Sequence, residues 1–264
     1  MTTATPAWFF AAERSIASLA IDGVIPEGLQ VIVVACAAAD LMSAAVTVAQ
    51  VQVIAGDAQA LAATLQTLAS DPTIDWLLLA NAGDEFTPGG LLQLRLLLAE
   101  QPHLRAAFAD GWYRNQDGTL APMLRPDLNL DLLLGNPSML SSHWIFRTEA
   151  LRDTVVLDPA AGDAAELDLI LRLIHAGGFD GIQHLSEPLL TCAPPRQDSH
   201  YPQIAILAHL QARGYSSATV EPLGNGLYRI DHGHEQQPTV ALVVIVAHDT
   251  TLGALERCVV SVLE

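Results

Sequence analysis

The feature that most constrains this chain is a rhythm of short apolar runs, each stopped by glycine, aspartate or asparagine and followed by a longer helix-spaced stretch. Val31–Val34, Val51–Ile54, Asp75–Ala80 and Ala106–Ala109 are such runs. Each is too short for a stable helix, and an unbroken apolar run suits a strand covered on both faces. Between them, Gly56-Asp57 opens a helix running to about Leu68, and Pro88 opens the leucine-rich stretch Gly89–Glu100. The alternation predicts an α/β fold with a mostly parallel sheet flanked by helices.

The remainder continues less regularly. Trp8–Ala20 has helical spacing, Asn115–Gly118 is a turn, Leu130–Leu134 a short helix and His143–Phe146 a short strand. Asp163–Ile174 is an amphipathic helix stopped by Gly177-Gly178, and Phe179–Leu185 reads as the last strand of the main sheet. Ala193–Pro202 is a loop, Ile204–Ala212 a helix, and Ala218–Glu221 with Leu227–Ile230 two strands about Gly224-Asn225-Gly226. Asp231–Pro238 is a polar linker, after which strand Val240–Ala247 and helix Thr251–Leu263 start the pattern again. The expected division is a main domain over 1–192, a helix, hairpin and linker over 193–238, and a small extension over 239–264.

Composition sets limits on function. Hydrophobic residues make up 51% and charged residues 16%, enough for a sizeable core and unlike a disordered chain. The net charge is −17, all twelve basic residues are arginine, and no basic stripe offers a nucleic-acid surface. An anionic diphosphate would need a cation or a local arginine to screen this charge. Cys36, Cys192 and Cys258 are far apart without metal-type spacing, which reads as reduced thiols in a cytoplasmic protein. No apolar run reaches the roughly 20 residues that span a bilayer.

The order of pieces resembles family-2 glycosyltransferases of the GT-A fold, as the first domain of tandem polysaccharide-assembly proteins. Leu79–Phe86 (LANAGDEF) resembles the family's L-D-x-D-D-E-L loop, and Arg125-Pro126-Asp127 with Asp131–Leu134 its K-P-D-W-S-P-D-L-L-L stretch. Ile145-Phe146-Arg147 resembles V-Y-R, and Glu166-Leu167-Asp168-Leu169 with Arg172-Leu173 its E/Q-D-x-D-L…R-L helix. Val220-Glu221-Pro222, Leu227-Tyr228-Arg229 and Val240–Leu263 resemble the inter-domain segment and the opening of a second domain.

The resemblance implies glycosyl transfer from a nucleotide-sugar to a polysaccharide or other glycan acceptor, with Mg²⁺ or Mn²⁺ at the departing diphosphate. It places Asp84 at the metal, Asn81 at the nucleotide or ribose, Asp110 and Arg172 near substrate, and Glu166 as the base that deprotonates the acceptor. The residues alone leave other readings open. Asp84 can close an ordinary turn or cap the next helix, Glu166 can be an exposed helix residue, and Asp168 and Arg172 can form an i,i+4 ion pair. Asp110 can simply end its strand, and His184 can be a structural histidine. His232 and His234 lack the companions a metal site needs.

Departures from the pattern imply a catalytically degenerate scaffold as the alternative. The family's D-D pair after an early strand is replaced by Ala35-Cys36, and a later H-W-R-type segment reads Thr191-Cys192-Ala193. The family's first strand has no counterpart before Trp8. Its central place leads to the expectation that Val240–Ala247 fills the slot, within the chain or by strand exchange in a homodimer, or that a partner glycosyltransferase domain supplies activity.

Overall fold

The computed structural model describes residues 17–19, 31–35, 51–55, 58–152, 164–195, 200–233, 239 and 241–263. It divides into two compact units, Met1–Gly233 and His234–Glu264. Most of the expected helix Trp8–Ala20, and Cys36, Gly56, Asp57 and Val240, lie outside the described residues; within that helix, 17–19 are helical.

The first unit is α/β. Strands β1 (Val31–Ala35) and β2 (Val51–Ala55) pair in parallel, and helix α1 (Ala58–Ser70) follows. A six-stranded sheet comes next, in the order β3 (Trp76–Leu78), β7 (Ile145–Arg147), β5 (Ala106–Arg114), β8 (Ile182–Cys192), β4 (Glu85–Phe86), with β6 (Leu120–Met123) also paired to β5. The sheet is mixed. Its β5–β8 pair is parallel, whereas β7 lies antiparallel between β3 and β5, and β4 and β6 are antiparallel edges. Period and hydrophobicity predict strands but not this insertion, because β7 is only three residues long and carries no crossover signature.

Helix α2 (Pro88–Glu100) begins where the sequence predicts. Thr87 is its N-cap, accepting the Gly90 N–H at 3.0 Å, and Pro88 occupies the first turn, where its missing N–H costs nothing. Gly90 is required there, because an added Cβ would lie 2.4 Å from the Pro188 carbonyl oxygen of β8. Short helices α3 (Leu130–Gly135), α4 (Pro137–Leu140) and α5 (Thr148–Leu151) lead to α6 (Ala165–Gly177) and α7 (Tyr201–Ala212). Arg105 caps the C-terminal end of α6, donating to the carbonyls of Leu173 at 2.7 Å and Gly177 at 3.0 Å. That places a cation at the negative end of the helix dipole.

The main core joins Phe108, Leu133, Leu140, Trp144, Phe146, Leu167, Ile170, Leu171 and Leu173, all buried. Trp144 stacks on Phe108 with centroids 4.9 Å apart and on Phe146 at 6.0 Å. These contacts fix β7 against β5 and α6, which positions the site. The hairpin β9 (Thr219–Gly224) and β10 (Leu227–Asp231) turns at Asn225 and Gly226, both at positive φ.

In the second unit, helix α8 (Leu252–Leu263) forms as expected. Residues 241–247 form no strand, and Leu242, Val243, Ile245 and Val246 are exposed. The expected strand Val240–Ala247 is therefore not formed over its described residues, 241–247. A lone apolar run gains strand geometry only from a hydrogen-bonded neighbour, which this segment lacks among the described residues.

Gly90→Val is expected to destabilise the chain by about 1–3 kcal/mol or more, since backbone of β8 must shift. Gly89→Ala, whose Cβ would meet nothing within 4 Å, is expected to be neutral or stabilising by up to about 1 kcal/mol. Urea unfolding of both variants checks this pair.

Candidate active site

Strand direction gathers the titratable residues at one end of the sheet. β3 and β5 run the same way and β7 runs opposite, so the loop after β3 meets the segment entering β7. The loop is Asn81–Asp84. Its backbone closes from Asp84 N–H to the Asn81 carbonyl at 3.0 Å, and Asp84 Oδ2 accepts the Asn81 N–H at 2.6 Å. The turn reading of Asp84 thus holds, but Asp84 does not cap α2; Thr87 does. Asn81 itself is exposed.

Asp84 is 3% exposed, and the same Oδ2 meets His143 Nε2 at 2.9 Å. His143 is buried at φ 59°, in the left-handed region that few non-glycine residues adopt. Arg125 holds the residue before it, donating to the Ser142 carbonyl at 2.7 Å and to Ser142 Oγ at 3.0 Å. The next residue, Trp144, donates its backbone N–H to Glu166 Oε1 at 2.6 Å. Segment 142–144 is therefore gripped by Arg125, Asp84 and Glu166 in succession.

Glu166 lies in the first turn of α6. It is half-buried as a residue, yet desolvation of its carboxyl outweighs the nearby His143 and Arg125 and pushes it up to about 7. The exposed-helix reading of Glu166 does not hold. Burial also pulls the Arg125 guanidinium down, with Glu166 the leading opposing charge. Asp84 and Glu166 meet on either side of one short segment.

Asp110 does not end its strand. β5 continues to Arg114, and Asp110 sits where the β5–β8 register shifts. Such a bulge re-aims a side chain without ending the ladder. Asp110 Oδ1 accepts the Arg125 N–H at 2.8 Å and meets His184 Nε2 at 2.9 Å, while the His184 ring stacks on Phe108. His184 is thus a satisfied structural histidine. Arg172 donates to Asp168 Oδ2 at 2.8 Å, the i,i+4 ion pair of the second reading.

Three residues here escaped sequence reasoning. Arg125 entered only through the R-P-D match, and His143 only as the start of a strand. Cys192 read as a reduced thiol far from the other cysteines. The available signal was a single histidine among the apolar residues that open a buried strand. Cys192 follows from register: Glu85 pairs with Thr191, and one further step sets Asp84 across from Cys192.

Asp84, His143 and Cys192 offer ligand atoms all within 4.8 Å of one another, so the site can hold a divalent ion. The set does not suit Mg²⁺ or Mn²⁺. Those ions favour several oxygen ligands, and here a single carboxylate already accepts two hydrogen bonds.

No family model matches the chain, and no curated protein matches it. Solved structures do. Residues 1–349 of S. aureus TarS are 15% identical over 77% of this chain and 61% of that one, with a TM-score of 0.54, so this chain spans under two thirds of that fragment. A mycobacterial protein is 16% identical over 86% and 80%, with a TM-score of 0.51. Glucosyl-3-phosphoglycerate synthase from Mycobacterium tuberculosis, crystallised with Mn²⁺, uridine-diphosphate-glucose and phosphoglyceric acid, is 15% identical over 79% and 75%, with a TM-score of 0.47.

A raised carboxyl pKa makes stability depend on pH. Folded Glu166 binds its proton up to about 7 and the unfolded residue only to about 4.5, so its contribution is full below 4.5 and is lost as pH rises through 7. Glu166→Gln, which keeps an acceptor for Trp144, is therefore expected to raise Tm more at pH 8 than at pH 4.5. Paired thermal melts read this difference. At the level of architecture the outcome is plain: this chain has the GT-A fold, the fold of family-2 glycosyltransferases.

Proposed function

We propose that the chain is a nucleotide-sugar-binding GT-A module whose reaction is glycosyl transfer to a polysaccharide or other glycan acceptor, with Glu166 as general base. The observation that carries this reading is the Glu166 carboxyl, pushed up to about 7 by burial and bonded to the Trp144 N–H, next to the His143 that meets Asp84. An acceptor hydroxyl is a poor nucleophile until a positioned base takes its proton, and a base works best with a pKa near the operating pH. In the transfer, the acceptor oxygen bonds to the anomeric carbon, the bond from that carbon to the diphosphate breaks, and the hydroxyl proton passes to Glu166.

The other residues act on position. Asp84 shapes the loop that would face the nucleotide, with Asn81 exposed on its rim. Arg125 and His143 hold the segment that donates to Glu166. Asp110 belongs to the wall behind Arg125, and Arg172 would reach substrate only by leaving Asp168.

One observation favours the second reading, a scaffold that positions an active partner domain. Ala35 stands where the family carries a carboxylate, and Asp84 is occupied by His143. Nucleotide diphosphate release from uridine-diphosphate sugars, with a glycan acceptor present, separates the two. Glu166→Gln is expected to lower kcat/KM by about 10²–10⁴. Wild-type kcat/KM is expected to rise as pH passes up through about 7, where the base ionises. If the chain binds no nucleotide diphosphate at millimolar concentration, the scaffold reading replaces this one.

A further inference from the structure

The donors around Asp84 do not match the hard cation expected from the resemblance, and that mismatch has chemical content of its own. Asp84, His143 and Cys192 are each buried, and their ligand atoms lie within 4.8 Å of one another. They come from three separate elements. Asp84 is fixed by the turn after β3, Cys192 by the β4–β8 register, and His143 by a left-handed residue at the entry to β7. A non-glycine residue in that conformation costs roughly 1–2 kcal/mol, and here it aims an imidazole at a carboxylate. A carboxylate, an imidazole and a thiol from three elements are the donors of a thiophilic ion, not of Mg²⁺ or Mn²⁺.

We propose that Asp84, His143 and Cys192 form a binding site for Zn²⁺ or a Zn²⁺-like ion, with Cys192 as the ligand that selects it. Zinc bond lengths imply ligand separations of roughly 3.3–3.7 Å in a tetrahedral site. Asp84 Oδ2 and His143 Nε2, at 2.9 Å, must part slightly, and the widest separation must close by about 1 Å. On binding, the Cys192 thiol releases its proton to solvent and its sulfur bonds the ion, while His143 binds through the ring nitrogen that carries no proton. Burial and the neighbouring Asp84 push the Cys192 thiol up to about 12, with Arg125 the smaller opposing charge, so it is the ion's own charge that must draw the proton off the sulfur. The fourth position is left for water or a ligand oxygen. The proposal stands on the donors alone and does not depend on glycosyl transfer.

The test titrates the reduced full chain with Co²⁺, a spectroscopic stand-in for Zn²⁺, and records near-ultraviolet absorption. A thiolate-to-cobalt charge-transfer band is expected, saturating at one ion per chain and abolished by excess Zn²⁺. Cys258→Ser, an exposed cysteine, is expected to leave it intact, and Cys192→Ser to remove it. Asp84→Asn and His143→Gln are each expected to weaken binding at least about 10-fold. Circular dichroism of each variant shows that it is folded, and Cys192→Ala provides a second variant should the serine disturb the core. Absence of the band in the folded wild type overturns the proposal. So does a band that survives loss of Cys192, or Mn²⁺ binding, read by electron paramagnetic resonance, that Cys192→Ser leaves unchanged.

Discussion

The contact between Asp84 and His143 is the constraint on which the site depends. It joins the loop after β3 to the entry of β7, two segments 59 residues apart in sequence, inside a region with almost no exposure. A buried carboxylate without a partner is expensive. Removing one member of such a pair leaves the other uncompensated, at a typical cost of about 3–5 kcal/mol. The unusual backbone of His143 persists because Arg125 on one side and Glu166 on the other hold its neighbours.

Each acidic group in this region is neutralised differently, and the differences assign roles. Asp84 meets an imidazole and a backbone N–H. Asp110 meets a second imidazole and the Arg125 N–H. Glu166 has Arg125 and His143 close by, yet burial still raises it to about 7. Asp84 and Asp110 are each held by an imidazole and a backbone N–H, while Glu166 can exchange a proton near neutral pH. This separation of environments, rather than the number of acidic residues, makes Glu166 the acid–base candidate.

Much of the first unit was legible in the sequence because its signals are local. The opening of α2 at Pro88, the Asn115–Gly118 turn and the glycine stop after α6 each follow from a few neighbouring residues. The order of motifs singled out Asp84 and Glu166, whose carboxyls bond to the neighbouring residues His143 and Trp144. What was not legible depends on long-range register. The β7 insertion makes the sheet mixed, the bulge at Asp110 keeps β5 running to Arg114, and the placement of Cys192 beside Asp84 follows from a ladder joining residues about a hundred apart. His143 was missed because a left-handed histidine looks, in sequence, like any polar residue opening a strand. Residues 241–247 show the converse: a clear strand pattern forms no strand without a neighbour.

The most direct test of the account is a double-mutant cycle on unfolding free energy, using Asp84→Asn, Glu166→Gln and the combined variant at pH 8. If both carboxyls act on His143, their effects should fail to add by at least about 0.5 kcal/mol. Additivity within about 0.3 kcal/mol would mean two independent sites, and would contradict the claim that both carboxyls bear on segment 142–144.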